Sequence, residues 1–199
     1  MANPLIVLDA DGVLLDYNLA YASAWEKAFG SYPQLKNHNA YWAKDRWAVE
    51  QLEGDSLSTF RTVFDESFWS TIPAIKGALE ACHTLSQAGY ELICVTALPE
   101  KFQPARLQNL VQLGFPIETV ITVNHSESTV SPKAEIINLI KPIAFVDDYL
   151  PYMSGVHVDI HRALITREHE MSPNEGVLLD GISSMHTNLE DFSKFWLER

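Results

Sequence analysis

The sequence predicts an α/β fold of three layers, a parallel sheet covered by helices on both faces, carrying one small all-helical insertion. Three observations predict it. Short, continuous apolar runs recur along the chain and end in polar residues. Stretches with helical spacing separate these runs, the pattern of a parallel sheet with crossover helices. One segment, 17–72, breaks the alternation and carries helical patterns only.

Taken in order, Leu5-Ile6-Val7-Leu8 reads as a strand buried on both faces and stops at Asp9. Within 17–72, Tyr21, Ala24, Trp25 and Ala28 fall at helical spacing, and further helices fit 40–52 and 57–68. Ile75, Ala78, Leu79, Cys82 and Leu85 form the stripe of the first core helix, with Gly89 as its stop signal. A second strand over 91–96 ends in Thr96. Leu107, Leu110 and Val111 make the next helical stripe, closed by Gly114, and 119–123 is a third strand. A short helix over 134–140 opens at Lys133. The run 142–146 is a fourth strand ending in Asp147-Asp148, and 156–165 a fifth. The stretch 189–197 fits a peripheral helix that docks Phe192, Phe195 and Trp196. The expected division is a core of residues 1–16 and 73–199 and a helical cap of residues 17–72.

Composition narrows the function. The 199 residues hold 14 Lys+Arg against 26 Asp+Glu, a formal charge of −12, with 47% hydrophobic content. That length buries a real core. The charge argues against a nucleic-acid polymer or an anionic membrane as partner. No run approaches the roughly 18 apolar residues of a membrane span. Met1-Ala2-Asn3-Pro4 opens without the charged and apolar regions of a signal peptide, so a cytoplasmic protein is expected. Cys82 and Cys94 form no CxxC spacing and read as reduced core residues. The segment 17–72 carries 5 basic and 7 acidic groups, so the acidic surplus lies outside it. Part of that surplus falls at strand ends, where solubility explains it poorly.

Ligands of open parallel sheets bind outside the carboxyl ends of the strands. Asp9, Thr96 and Asp147-Asp148 end strands, and Lys133 opens a helix beside them. Crowded carboxylates repel unless a cation offsets them, which points to Mg2+. A lysine and a hydroxyl beside that metal suit a phosphoryl group. His157, Asp159 and His161 alternate, but edge-strand polarity explains them better than a second metal site does.

The run Asp9-Ala10-Asp11-Gly12-Val13-Leu14-Leu15-Asp16 resembles the first motif, DxDGVLxD, of the haloacid dehalogenase (HAD) superfamily. Val95-Thr96-Ala97 resembles its second motif, Lys133 stands where its third-motif lysine belongs, and Val146-Asp147-Asp148 is similar to its acidic fourth motif. Ile72-Pro73-Ala74-Ile75-Lys76-Gly77 is also similar to the family just before its second motif. The resemblance implies a Rossmann-like core with a small helical cap, and a Mg2+-dependent phosphatase acting on a small phosphorylated metabolite. It implies Asp9 as nucleophile, forming an aspartyl-phosphate, and Asp11 as acid and base, its carbonyl also facing the metal. Thr96 and the Ala97 amide would hold phosphoryl oxygens, and Lys133 would neutralise charge. Asp147 and Asp148 would anchor Mg2+ with Asp9, and Gly12 would permit the turn beneath Asp11. The cap would select the leaving group, with Trp42, Arg46 and Trp47 its substrate-binding candidates. Tyr17, Trp25 and Trp69 are its other distinctive side chains, and Asp16 either orders the loop or caps the next helix.

Other functions fit less well. Dehalogenases and phosphonatases of this superfamily do not keep the second aspartate, here Asp11. Phosphomutases do, but they need a cap base, for which only His38 and Lys44 offer themselves. A 5′-deoxyribonucleotidase is the alternative specificity, through the similar Asp-Asp motif and a Trp-rich cap. A catalytically silent HAD-like binding protein would not need every catalytic residue type. Two-component receiver domains place their acidic pair after the first strand, the reverse of the order here.

Overall fold

Alternation along each strand decides which face of the sheet a side chain joins. In β1 (Leu5–Leu8), Ile6 and Leu8 enter one apolar layer and Val7 the other. β2 (Glu91–Ala97) divides the same way, with Leu92 and Cys94 opposite Ile93 and Val95. The computed structural model describes residues 3–124, 130–167 and 169–199; Met1 and Ala2, where the export signal was sought, lie outside them. β3 (Val120–Val123), β4 (Ala144–Asp147), β5 (His161–Ile165) and β6 (Ser184–His186) complete a sheet of order β3-β2-β1-β4-β5-β6. Every pairing between strands of this sheet is parallel. The three-layer α/β prediction holds.

The layer containing Ile6 and Leu8 is covered by α5 (Ala78–Gln87), α6 (Gln103–Leu113) and α8 (Leu189–Leu197). The other is covered by α7 (Ala134–Ile140) and by Leu150, Met153, Val156 and Ile160 from turns. In α8, Phe192 and Trp196 are buried as expected, while Phe195 stays at the rim beside His161 and His186. Cys82 and Cys94 are both free and buried.

Residues 17–72 contain α1 (Tyr17–Phe29), α2 (Ala43–Arg46), α3 (Gly54–Thr62) and α4 (Glu66–Trp69). The chain leaves the core and returns to it at one place. Leu15 and Ala74 form an antiparallel bridge, flanked by Asp16 N–H to Pro73 O at 2.7 Å and Ile75 N–H to Leu14 O at 2.9 Å. At the far side, Asn37 Nδ2 donates to Glu170 Oε2 at 2.7 Å, and Tyr41 N–H to Glu170 O at 3.0 Å. Trp25 packs on Phe60, Phe60 on Phe64 and Phe64 on Phe68, a chain of rings that runs continuously into the core layer beneath.

Four expectations change. The helix over 40–52 shrinks to α2, because turns on either side spend the backbone donors: Asn37 N–H reaches Arg46 O and Ala48 N–H reaches Gln34 O. The helix over 57–68 splits where Asp65 caps α4 by accepting from Phe68 N–H at 2.9 Å. The fifth strand starts only at His161, because Ile160 N–H closes a turn on His157 O. His157, Asp159 and His161 therefore share no strand face. In α6 the buried face is Ala105, Arg106, Asn109 and Leu110, while Val111 points to solvent. β6, three residues long, carries no apolar run to announce it.

Trp47 is 5% exposed, packs with Ala22 and Ala43, and donates its indole N–H to Asn18 O at 2.8 Å. Trp47→Ala is expected to cost about 3–5 kcal/mol of stability. Urea unfolding measures this; a loss near zero would contradict the packing assignment.

Candidate active site

The carboxyl ends of β1, β2, β4 and β5 meet residues 17–72 around a cleft of about 360 Å³. Asp9 follows β1 and is still held by the ladder, its N–H donating to Val146 O at 2.9 Å. The chain then turns sharply. Ala10 O accepts from both Leu14 N–H and Leu15 N–H, at 2.8 and 2.9 Å. Gly12 sits in this turn with φ of +89°, and a Cβ there would lie 2.1 Å from Asp148 Oδ2. Glycine is thus required twice, by the dihedral and by the close approach of a carboxylate. Asp16 serves both expected purposes: Oδ1 caps α1 by accepting from Leu19 N–H, and Oδ2 pairs with Arg167 at 3.2 Å.

Lys133 precedes α7 and has no exposed surface. Its Nζ lies 2.6 Å from Asp147 Oδ2 and 2.7 Å from Asp9 Oδ1, the latter outside hydrogen-bonding geometry. Asp147 Oδ1 accepts from Tyr149 N–H at 2.9 Å, so both Asp147 oxygens are engaged. Asp148 instead lines the cleft, its backbone carbonyl held by Asn174 Nδ2 at 2.8 Å. One oxygen each from Asp9, Asp147 and Asp148 lie within 4.8 Å of one another. Burial pushes the Asp147 carboxyl up to about 7 and the Asp148 carboxyl well above its ordinary range. Burial alone would lower Lys133, but the charges of Asp147 and Asp9 hold it above the usual lysine range. Three carboxylates around one ammonium, when ionised, leave two negative charges uncompensated. An all-oxygen donor set with that deficit fits one Mg2+.

Asp11 lies across the turn from this cluster. Its Oδ2 accepts from Arg106 Nη2 at 2.9 Å, while Oδ1 is buried without a hydrogen-bond partner. Burial raises the Asp11 carboxyl in spite of the arginine. The guanidinium has no exposed surface and packs 5.3 Å from the Trp69 ring. Arg106 went unread because an arginine inside a helical stretch reads as solvent-facing; its place beside Ala105 and Leu110 on the inner face shows only in three dimensions.

Thr96 and Ala97 line the cleft at the end of β2, as expected. Of the three cap candidates only Trp42 does so, 41% exposed at the rim. Trp47 belongs to the insertion's own packing. Arg46 turns away and donates through Nη1 to His38 O at 2.6 Å, fastening the loop over 36–38. α2 is one turn long with Trp42 and Trp47 as its extended caps, and the partners of Arg46 and Trp47 lie within the insertion itself. The wall is completed by Tyr17, Asn18, Tyr41, Trp69, Tyr149, Tyr152 and Arg167. Tyr41 reaches over Asp148, and burial with that neighbouring charge pushes its phenol far above the usual range, so it stays neutral. Arg167 follows β5 by two residues, and the strand-end rule that found Asp9 and Asp147 would have found it too.

No protein-family model and no curated protein sequence matches the chain. Solved structures do. A predicted phosphoglycolate phosphatase from Haemophilus somnus 129PT is 18% identical, with a TM-score of 0.60 over 98% of each chain. The D,D-heptose 1,7-bisphosphate phosphatase from B. bronchiseptica, complexed with magnesium and phosphate, is 14% identical at 0.54, over 98% of each chain. The defluorinating L-2-haloacid dehalogenase Rha0230 is 11% identical at 0.58, over 97% of this chain and 94% of that one. The fold is therefore the HAD-like α/β fold, which carries more than one chemistry.

Mg2+ is expected to raise Tm at about pH 7.5, and by less at about pH 5. Carboxyls raised by folding make the folded protein bind more protons than the unfolded chain. The metal-free fold therefore loses stability as pH climbs from about 4 through about 7, the range in which a cation replaces protons. Thermal melts with and without MgCl2 test this; equal shifts at both pH values would contradict it. Gly12→Ala is expected to remove the shift by displacing the Asp148 carboxylate.

Proposed function

We propose that the protein is a Mg2+-dependent phosphatase that hydrolyses a small phosphate monoester through an aspartyl-phosphate on Asp9. The observation that carries this reading is the meeting, at one rim, of Asp9, the Lys133–Asp147 pair, Asp148 and Thr96, with Asp11 beside them on its own arginine. Asp9 attacks phosphorus in line and the P–O bond to the leaving group breaks. Asp11 gives its proton to the departing oxygen, then takes one from the water that hydrolyses the aspartyl-phosphate. Thr96 and the Ala97 amide steady the phosphoryl oxygens, and Lys133 keeps Asp9 aligned and its charge offset. Asp9, Asp148 and the Asp11 carbonyl would hold Mg2+ directly, since both Asp147 oxygens are already engaged by Lys133 and Tyr149. When bound, Mg2+ supplies Lewis-acid stabilisation of phosphoryl charge.

The competing chemistries fit the site less well. A dehalogenase has no use for a proton carrier beside the nucleophile, and Asp11 is held there by Arg106. A phosphomutase needs a base at the acceptor hydroxyl, and no lysine or histidine is among the described residues lining the cleft. The wall of Tyr17, Tyr41, Trp42, Trp69, Tyr149 and Tyr152 favours a leaving group with a flat apolar face. Nucleoside 5′-monophosphates belong to that class, so the deoxyribonucleotidase-like alternative stands as a specificity within the same activity.

Mg2+-dependent release of phosphate from 4-nitrophenyl phosphate is expected, together with loss of turnover in Asp9→Asn and turnover reduced about 10²–10⁴-fold in Asp11→Asn. Wild-type rates in Asp9→Asn would overturn the mechanism. Lys133→Met is expected to lose turnover and also about 3–5 kcal/mol of stability, because it leaves buried carboxylates unpaired. Kinetics beside urea unfolding separate the two losses; unchanged stability would show that the lysine is not the keystone of the cluster. A panel of phosphate esters that includes deoxynucleoside monophosphates identifies the leaving group.

A further inference from the structure

Arg106 poses a problem that the proposed mechanism does not absorb. A guanidinium without exposed surface is expensive to desolvate, and an apolar residue would suit the inner face of α6 between Ala105 and Leu110 better. Asp11 does not need the arginine to shape its loop, since Ala10 O and Leu15 O hold that turn through the backbone. Nor is the pair a two-pronged clamp. Only Nη2 reaches Asp11, while Nε and Nη1 are buried without hydrogen-bond partners. Trp69, from the insertion, covers the guanidinium and also lines the cleft. A buried cation touching one oxygen of one carboxylate, at the edge of the cleft, fixes how that carboxyl group is turned.

We propose that Arg106 is a positioning residue for proton transfer, acting through Asp11; this rests on the phosphatase reading above. Arg106 holds Oδ2, so the carboxyl plane is set before the ester arrives. In the first step the Asp11 proton passes to the leaving oxygen as the P–O bond breaks, and the carboxylate left behind is neutralised by the guanidinium. In the second step that carboxylate takes a proton from the attacking water. Lys133 cannot serve this purpose, because its charge is engaged by Asp9 and Asp147.

The test is the dependence of kcat/KM on leaving-group acidity, across ring-substituted phenyl phosphates of similar shape. These esters differ mainly in how much they need a proton, and kcat/KM isolates the step in which the leaving group departs. Arg106→Gln is expected to lower kcat/KM for phenyl phosphate about tenfold more than for 4-nitrophenyl phosphate, within the range general acid catalysis supplies. Asp11→Asn should show the same signature, and Arg106→Lys, which keeps a buried charge, a smaller one. A parallel fall for every ester with a lower Tm, or failure of both arginine variants to fold, assigns Arg106 a structural role and overturns the inference. A steepened dependence in Asp11→Asn but not in Arg106→Gln overturns it while leaving the phosphatase reading intact. If the wild-type protein hydrolyses none of these esters, the phosphatase reading falls and this inference with it.

Discussion

The rim of the sheet is organised around a lysine that never sees water. Lys133 is buried between Asp9 and Asp147, within 2.7 Å of both. An ammonium group in that position is tolerable only because two carboxylates surround it, and the carboxylates are tolerable only because it is there. The dependence is mutual, and it reaches outward. It fixes the ends of β1 and β4 against the start of α7, so three distant stretches of sequence come to one point. It also commits Asp147 to a supporting place, which leaves Asp148 as the acid that faces the cleft. Beyond the lysine a deficit of positive charge remains, one that a bound cation would offset.

Two buried cations divide the work. In the mechanism proposed above, Lys133 serves the residue that would attack phosphorus, and Arg106 the residue that would move protons. Neither borders the cleft directly, so the surface offered to a ligand is acidic at the centre and aromatic at the wall, with Arg167 as the one cation among the described lining residues. Such a surface is poorly suited to bind a phosphate ester by bulk attraction. It suits one in which a metal and a few aligned donors grip the phosphoryl end while flat rings sort what is attached to it.

Much of this was legible in the chain. Continuous apolar runs announced β1, β2 and β4, because strands covered on both faces have no polar side to confuse the pattern. The charged residues at their ends were legible because polar groups directly after such a run have few structural excuses. Legibility failed where the local signal was shared or reversed. Arg106 and Asn109 occupy buried positions on α6, which leaves Leu107 at the edge of the buried face and turns Val111 toward solvent. Val156 and Ile160 are buried from a turn, and their apolar character imitated a longer β5. Arg46 and Trp47 stood out by composition, yet one fastens a loop and the other packs the insertion. Tyr41 and Tyr149 were silent individually and acquire meaning only because Asp148 lies beneath one and the other stacks on it at 6.4 Å between ring centres.

The bridge between Leu15 and Ala74 has a consequence for how such a molecule diversifies. Because the insertion leaves and rejoins the core through one pair of hydrogen-bonded segments, its two ends meet without spanning the sheet. Replacement of everything between those two residues would cut none of the strands, but would remove the hydrogen bonds of Asn37 and Tyr41 to Glu170 and the aromatic packing that runs into the core layer. Exchange of one contiguous piece of coding sequence would therefore alter the wall of the cleft while the strand-end residues Asp9, Thr96, Asp147 and Asp148 are kept. A further tie is Trp69, four residues before the junction with Pro73, which rests on the arginine behind Asp11. A transplanted insertion would have to supply a substitute for that ring, and this narrows the donors that would succeed.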